Sequence, residues 1–356
     1  MRIDRSPGTR TRGAAVVLAC LLLAACGVRV ETPPPPPPTP GPLEQVRQAA
    51  AVASASLAED AGRAASDTLD ERRFAVLERI RLDAEEHVEV LGGVYSLEEG
   101  GLVETGAEED PDEVDAADDV PEPEPVDPAD LVVRLVNEAT AARGAADRVD
   151  DGGLARLLTV VATARLLAAD ALARDLEVER PGLAREVLPT TLPQGVATQD
   201  LARLVVAEDQ AAFALELVAA RSQDSVRRRA RAAAERHRAT SDAWARLAGL
   251  AEPGLDPREV SYALGGALET EESRADLAAR VEHALVVSYA ALVALAEPGS
   301  RAELAALHTL AAESARRWGL APGALPGLDE QDALTDDPDA LGTPDPSPPD
   351  DAPSDD

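Results

Sequence analysis

The 356-residue sequence carries 34 basic and 66 acidic side chains, a formal net charge of −32, and every basic residue is Arg. Aromatic residues make up 2%, which excludes a β-rich fold, because pleated faces pack through β-branched and aromatic side chains. The acidic balance excludes a nucleic-acid partner, which needs an extended basic surface, and the abundance of Ala and Arg predicts an all-α protein.

In chain order, residues 1–25 read as a lipoprotein signal peptide. Arg2, Arg5, Arg10 and Arg12 precede an uninterrupted apolar run from Ala14 to Ala25. A helix of that length spans about 18 Å, short of the roughly 30 Å of a bilayer core. The run ends in Leu23-Ala24-Ala25-Cys26-Gly27, which resembles a bacterial lipobox. The resemblance implies a diacylglyceryl group on the Cys26 thiol, cleavage just before it, and anchoring at the extracytoplasmic face of the cell membrane. Two acyl chains supply the two signals that stable anchoring needs. Cys20 lies in the removed segment, so no internal disulfide is expected. Residues 26–42 then hold six consecutive prolines, Pro33 to Pro38, a stiff polyproline spacer of roughly 30 Å.

Eight helices follow from period and punctuation. The first four span about Leu43–Asp67, Thr68–Val94, Pro128–Arg143 and a segment behind Gly152-Gly153, and form an N-terminal bundle over residues 43–176. Asp127-Pro128 offers a cap and a first-turn Pro to the third. An acidic insert, 97–127, splits this bundle. From Glu98 to Asp130 there are 15 acidic residues and no basic one, and residues 329–356 hold 11 more in an acidic tail. Both are Pro-bearing and self-repelling, so disorder is expected. Neither contains the Asp-x-Asp-x-Asp-Gly spacing of a calcium loop. The remaining acids nearly balance the arginines.

The second four helices lie in residues 198–328. The fifth begins near Thr198 and carries Leu201, Leu204, Glu208, Ala212 and Leu215 on one face. The sixth, about Asp224–Ala251, carries Ala230, Ala234, His237, Ser241 and Trp244. The seventh, about Ala267–Ala296, carries Leu277, Val281, Ala284, Ser288, Leu292 and Leu295. The eighth, about Arg301–Trp318, carries Leu304, His308, Ala311, Ala315 and Trp318. Trp244 and Trp318 are the expected core anchors. Arg227-Arg228-Arg229-Ala230-Arg231 reads as a solvated helix face, with an anionic envelope polymer or headgroup as the alternative.

Within this second set, Ala207-Glu208-Asp209-Gln210-Ala211-Ala212-Phe213 resembles the opening helix of the DUF4439 ferritin-like domain of actinobacterial proteins. Glu235-Arg236-His237-Arg238, Tyr262-Ala263-Leu264, the helix with Glu282 and Tyr289, Arg317-Trp318 and Leu325-Pro326-Gly327-Leu328 complete the resemblance. It implies a ferritin-like four-helix bundle and no particular reaction. The chain departs from the pattern at Glu208-Asp209, where Glu-His is frequent in the family. The N-terminal set, with Glu85-Glu86-His87, resembles a companion bundle.

Ferritin-like di-iron proteins place a Glu on two helices and Glu-x-x-His on the other two. Glu235-x-x-Arg238 and Glu313-x-x-Arg316 have Arg in place of His. A guanidinium stays protonated and cannot ligate, so each Arg is expected to pair with its own Glu at i, i+3. A looser constellation remains: Glu208, His237, Glu282 and His308, with His283 as a further candidate, could hold one transition-metal ion. The alternative is a buried Glu–His pair that fixes helix register. His87 is read as a satisfied or surface residue. The sequence has no mature nucleophilic Cys, no Gly-x-Ser-x-Gly and no Gly-rich phosphate loop, so no catalytic residue is assigned. These readings point to a membrane-anchored, extracytoplasmic lipoprotein without a cofactor, acting structurally or through an envelope protein partner. The alternative is a metal-binding or redox protein that uses the intra-bundle Glu/His site.

Overall fold

Asp and Thr side-chain caps set where four of the described helices begin. The computed structural model describes residues 40–96, 101–102, 125–182, 188–265, 268–321 and 323–328. The signal peptide, Cys26, most of the proline spacer, nearly all of the acidic insert and the acidic tail lie outside the described residues. Helix α1 (Pro42–Ser66) starts on a Pro, and α2 (Glu71–Val90) starts where the Asp70 carboxylate accepts from the Arg72 and Arg73 amides. Two-residue segments, β1 (Tyr95–Ser96) and β2 (Gly101–Leu102), pair antiparallel. Asp127 caps α3 (Pro128–Arg148), as its Asp-Pro pair predicts, and Asp151 caps α4 (Gly152–Asp175).

In the second set, α5 (Thr198–Arg221) and α6 (Asp224–Leu247) are joined by two residues. A Thr270–Ser273 capping box opens α7 (Glu271–Leu295), and α8 (Ala302–Arg317) closes the series. Eight helices among the described residues and an all-α fold agree with the reading of the sequence. Several boundaries differ by three to five residues: α2 is shorter at both ends, α6 ends earlier and α7 begins later than read, and α3 continues through Gly144 to Arg148. A helical Gly costs about 1 kcal/mol relative to Ala. Burial of Ala142 and Ala146 on either side outweighs that cost.

Each set of four is two helical hairpins joined by a long crossover, through residues 91–127 in the first and 248–270 in the second. One long crossover between the second and third helices is the ferritin-like connection. The hairpins α1–α2, α3–α4, α5–α6 and α7–α8 pack internally, and α5 lies on α7. Helix α4 also packs on α7 and α8, so the two sets share a core. Ala155 and Leu167 of α4 lie in one apolar cluster with Leu204, Trp244, Leu285, Tyr289 and Leu304. Helices α4 and α7 are long and apolar enough to cross a membrane, yet most of each is buried among its neighbours. Close approach is set at Gly152, where an added Cβ would collide with the Ala294 carbonyl oxygen.

The predicted stripes of α5, α6 and α8 are the buried ones, including Trp244 and Trp318. The stripe of α7 is right only in part: Leu277 and Leu292 are buried, but Leu295 is exposed. Ala284 is exposed and Ser288 is only partly covered, while Glu282, Leu285, Val286, Tyr289 and Val293 face inward. Ala, Val and Leu make up most of that helix, so its apolar contrast is too weak to fix a face.

Candidate functional site

Four helices deliver polar groups to one buried point inside the second bundle. Glu208 (α5), His237 (α6), Glu282 and Tyr289 (α7) are all buried, and Ser314 (α8) and Arg236 (α6) close the cluster. The Nδ1 of His237 donates to Glu208 Oε2 at 2.6 Å, and its Nε2 lies 3.2 Å from Glu282 Oε1. The imidazole therefore bridges two carboxylates through both ring nitrogens. Tyr289 donates its hydroxyl to Glu208 Oε1 and accepts from Trp244 Nε1 at 3.4 Å. Arg236 Nη2 reaches Glu282 Oε1 at 3.3 Å and Ser314 Oγ at 3.2 Å, and Ser314 donates to the same Glu282 oxygen. The other oxygen, Glu282 Oε2, has no partner among the described residues. Beneath the ring, Ser241 ties α6 to the Val205 carbonyl at 2.9 Å.

The electrostatics follow from this geometry. Burial alone would discharge the imidazole, but Glu282 and Glu208 overcome it and push His237 up to about 9. Burial would likewise raise Glu282, but His237 and Arg236 hold its carboxyl below the ordinary range. Burial and the Glu208 charge push the Tyr289 phenol far up, so it stays a donor. Two carboxylates thus face one imidazolium and one guanidinium, and the cluster is neutral. From outside, a cleft of about 310 Å³ lined by Arg236, Leu310, Glu313, Ser314 and Arg317 reaches the cluster.

Three of the four candidate ligands, Glu208, His237 and Glu282, are brought together; His308 is not. It faces α4, where Nδ1 accepts from Thr163 Oγ1 at 2.9 Å and Nε2 donates to the Pro326 carbonyl at 3.1 Å. Thr163 also meets Thr309 at 2.7 Å, and Arg143 donates to Thr309 at 2.6 Å. Burial, with Arg143 and Arg156 nearby, lowers His308 to about 4, so the ring is neutral. His87 is buried as well, with Nε2 2.8 Å from the Ala324 carbonyl, and burial lowers it to about 4. His283 is half-buried beside Glu282 in sequence. Cys26 lies outside the described residues.

Neither Glu-x-x-Arg pair closes on itself. Glu235 lies outside and pairs with Arg231 at 3.7 Å, while Arg238 reaches Asp209 at 2.6 Å and Glu216 at 2.8 Å. Glu313 pairs with Arg317, and Arg316 crosses to the buried Asp170 of α4. A guanidinium is long enough to reach the next helix, and a buried acid elsewhere outcompetes an i, i+3 partner already served at i, i+4.

The motif residues have visible structural work. Asp209 accepts from Tyr262 at 2.9 Å, and Phe213 packs on the Tyr262 ring edge at 5.8 Å, so this group clamps the 248–270 crossover onto α5. Arg229 of the basic run lies 4.8 Å over Trp318 and donates to the Arg317 carbonyl. Gly327 lies against Val286, and its carbonyl accepts from Arg156 at 3.0 Å.

A metal fits this donor set poorly. Both imidazole nitrogens are engaged by carboxylates, a guanidinium takes the place of a ligand at Glu282, and the second imidazole is on the far face of α8. Among the described residues, no group of three or more His, Cys, Asp or Glu is arranged to hold a metal ion. Arg236 was missed by sequence reasoning, which read it only as part of a motif. Its signal is position, directly beside the inward His237 and facing the buried Glu282.

Residues 200–330 match the family model described as DUF4439, a domain of unknown function. The match covers a little over a third of the chain and coincides with α5–α8 and the loop after them. No curated protein and no solved structure matches the chain.

Proposed function

We propose that the chain is a non-enzymatic lipoprotein, anchored outside the cytoplasmic membrane through acylated Cys26, whose helical body serves a structural or partner-binding role. The lipobox-like run Leu23-Ala24-Ala25-Cys26 and the stiff proline spacer behind it support the anchor. The observation that carries the non-enzymatic part is the bridging of Glu208 and Glu282 by one imidazole. The bundle centre, where a ferritin-like protein would keep metal ions, is neutralised by the chain's own His237 and Arg236. A buried ion network of this kind fixes helix register in place of a metal.

Elemental analysis of the purified, tag-free chain tests the second part; less than one-tenth of an equivalent of any transition metal is expected. The competing reading, a metal or redox site, is favoured by the unpartnered Glu282 Oε2. Stoichiometric metal lost on Glu208→Ala would establish it and overturn the proposal. Metabolic labelling with a radioactive fatty acid tests the anchor. Label that persists in Cys26→Ala would refute acylation at that residue.

A further inference from the structure

A second site lies in the first bundle, away from the polar cluster. Helices α1 and α3 splay over α4 and leave a groove of about 430 Å³, within the size range of small-molecule sites. Its walls are mostly small apolar residues, Ala49 and Ala53 of α1 and Ala141 and Ala145 of α3, over Leu158 of α4, with Gln45 and Arg148 as polar exceptions. Its floor is a cation. Arg165 of α4 is 2% exposed, and each of its partners is a neutral oxygen: the Glu138 carbonyl at 3.2 Å, Ser54 Oγ at 2.7 Å and the Ala50 carbonyl at 3.4 Å. Its Nε has no partner among the described residues. Burial pulls Arg165 down to about 10, which marks a charge that no contacting anion compensates.

Arg301 shows what a purely structural buried Arg looks like here. It is as deeply buried, but its Nε and Nη1 are filled by the carbonyls of Ala296, Ala146 and Val149, and it plugs two helix ends. Arg165 differs in two ways, by its unfilled Nε and by its place on the floor of an open apolar groove.

The groove has direction. Arg165 touches α1 at Ala50 and Ser54 and α3 at Glu138, so it stands at one end. Along α1 the groove continues to Pro42, eleven residues before Ala53, or about 17 Å at 1.5 Å per residue. The complementary molecule is therefore an apolar chain of about that length with a negative head. At this end the Arg165 guanidinium supplies one charge and the nearby Glu138 carboxylate disfavours a second negative charge on the head; the groove's other guanidinium, Arg148, lies ten residues further along α3, away from the head. We propose that this groove binds a free straight-chain fatty carboxylate, its head on Arg165 and its tail laid between the alanine walls toward Pro42. This inference is independent of the role assigned to the second bundle.

The test is titration of the purified full chain with dodecanoate, by calorimetry and by carboxyl carbon-13 resonance. Saturable one-to-one binding is expected. Dodecan-1-ol, with the same tail and no charge, and dodecyl phosphate, a dianion at pH 8, should each bind at least tenfold more weakly. Arg165→Gln should weaken dodecanoate at least tenfold. Because that variant can also disturb the core, Ala49→Phe, on the exposed wall, provides an independent block. It should abolish binding while leaving the helical circular dichroism unchanged. No saturable binding, equal affinity for the alcohol or the dianion, or full binding by Ala49→Phe would each overturn the proposal.

Discussion

Raising the pH should dismantle the charge balance inside the second bundle through one residue, His237. In the unfolded chain this imidazole titrates near its ordinary value of 6.5; in the fold it is held to about 9 by Glu282 and Glu208. A group whose folded pKa is raised contributes its full stability below the unfolded value and loses it as pH climbs to the folded one. The window is thus pH 6.5 to 9, with a slope of about 1.4 kcal/mol per pH unit and a total near 3 kcal/mol. Urea unfolding followed by circular dichroism, repeated across that range, reads the loss directly. The carbon-13 shifts of the four histidines give an independent midpoint for His237. Deprotonation leaves Glu208 and Glu282 facing Arg236 alone, so the loss is steep and is absent in His237→Gln. That variant should start several kcal/mol less stable, because it leaves a buried carboxylate without its cation. A wild-type stability flat from pH 6.5 to 9, or a His237 midpoint below 7, would refute the account of the cluster as an ion network.

Other outcomes follow from the same geometry. Acidification should destabilise the fold from the opposite side. His87 and His308 are both lowered to about 4, so stability falls as pH drops from 6.5 toward 4, by up to about 3 kcal/mol for each ring. Asp83, raised by burial to about 6, partly offsets this, and Asp83→Asn should steepen the acid limb in the same urea series. Gly152→Ala drives a methyl into the Ala294 carbonyl. It should lower the melting temperature by several degrees, as about 1–3 kcal/mol of overpacking implies, whereas Gly153→Ala, which meets only the Asp151 carboxylate, should not. Asp170→Ala leaves Arg174, Arg180 and Arg316 facing one another across the α4–α8 contact. Because the guanidinium groups are partly solvated, a loss of about 2 kcal/mol is expected by denaturant titration, and Arg316→Ala should lose less.

Much of the fold was legible because helix signals are local. Asp127-Pro128, the double Gly at 152–153 and the prolines after 180 and 250 mark ends whatever the rest of the chain does. The stripes of α5 and α6 contrast apolar with charged residues strongly enough to place Glu208 and His237 on the same interior. Helix α7 has no such contrast, so its inward face, and with it the roles of Glu282 and Tyr289, became visible only when α5, α6 and α8 were packed around it.

The error over His308 has a different cause. A stripe says that a residue is covered; it does not say which neighbour covers it. Helix α8 is buried on nearly every side from Leu304 to Ala315, because α4 lies on one flank and α7 on the other. Its two inward faces carry different polar groups: Ser314 toward the Glu282 cluster, and His308 with Thr309 toward Thr163. A helix buried on two sides has to satisfy each separately, and it does so with neutral hydrogen bonds on the α4 side and charges on the α7 side. The sequence holds a trace of this. From Leu304 to Ala312 no charged residue interrupts α8, the pattern of a helix without a solvent face, which argues for a second layer of helices behind it. The arginines extend the same logic. With no Lys in the chain and a side chain that stays charged, each Arg near the core must find an acid or carbonyl on another helix. Arg236, Arg238 and Arg316 therefore leave their own helical turns to join α7, α5 and α4.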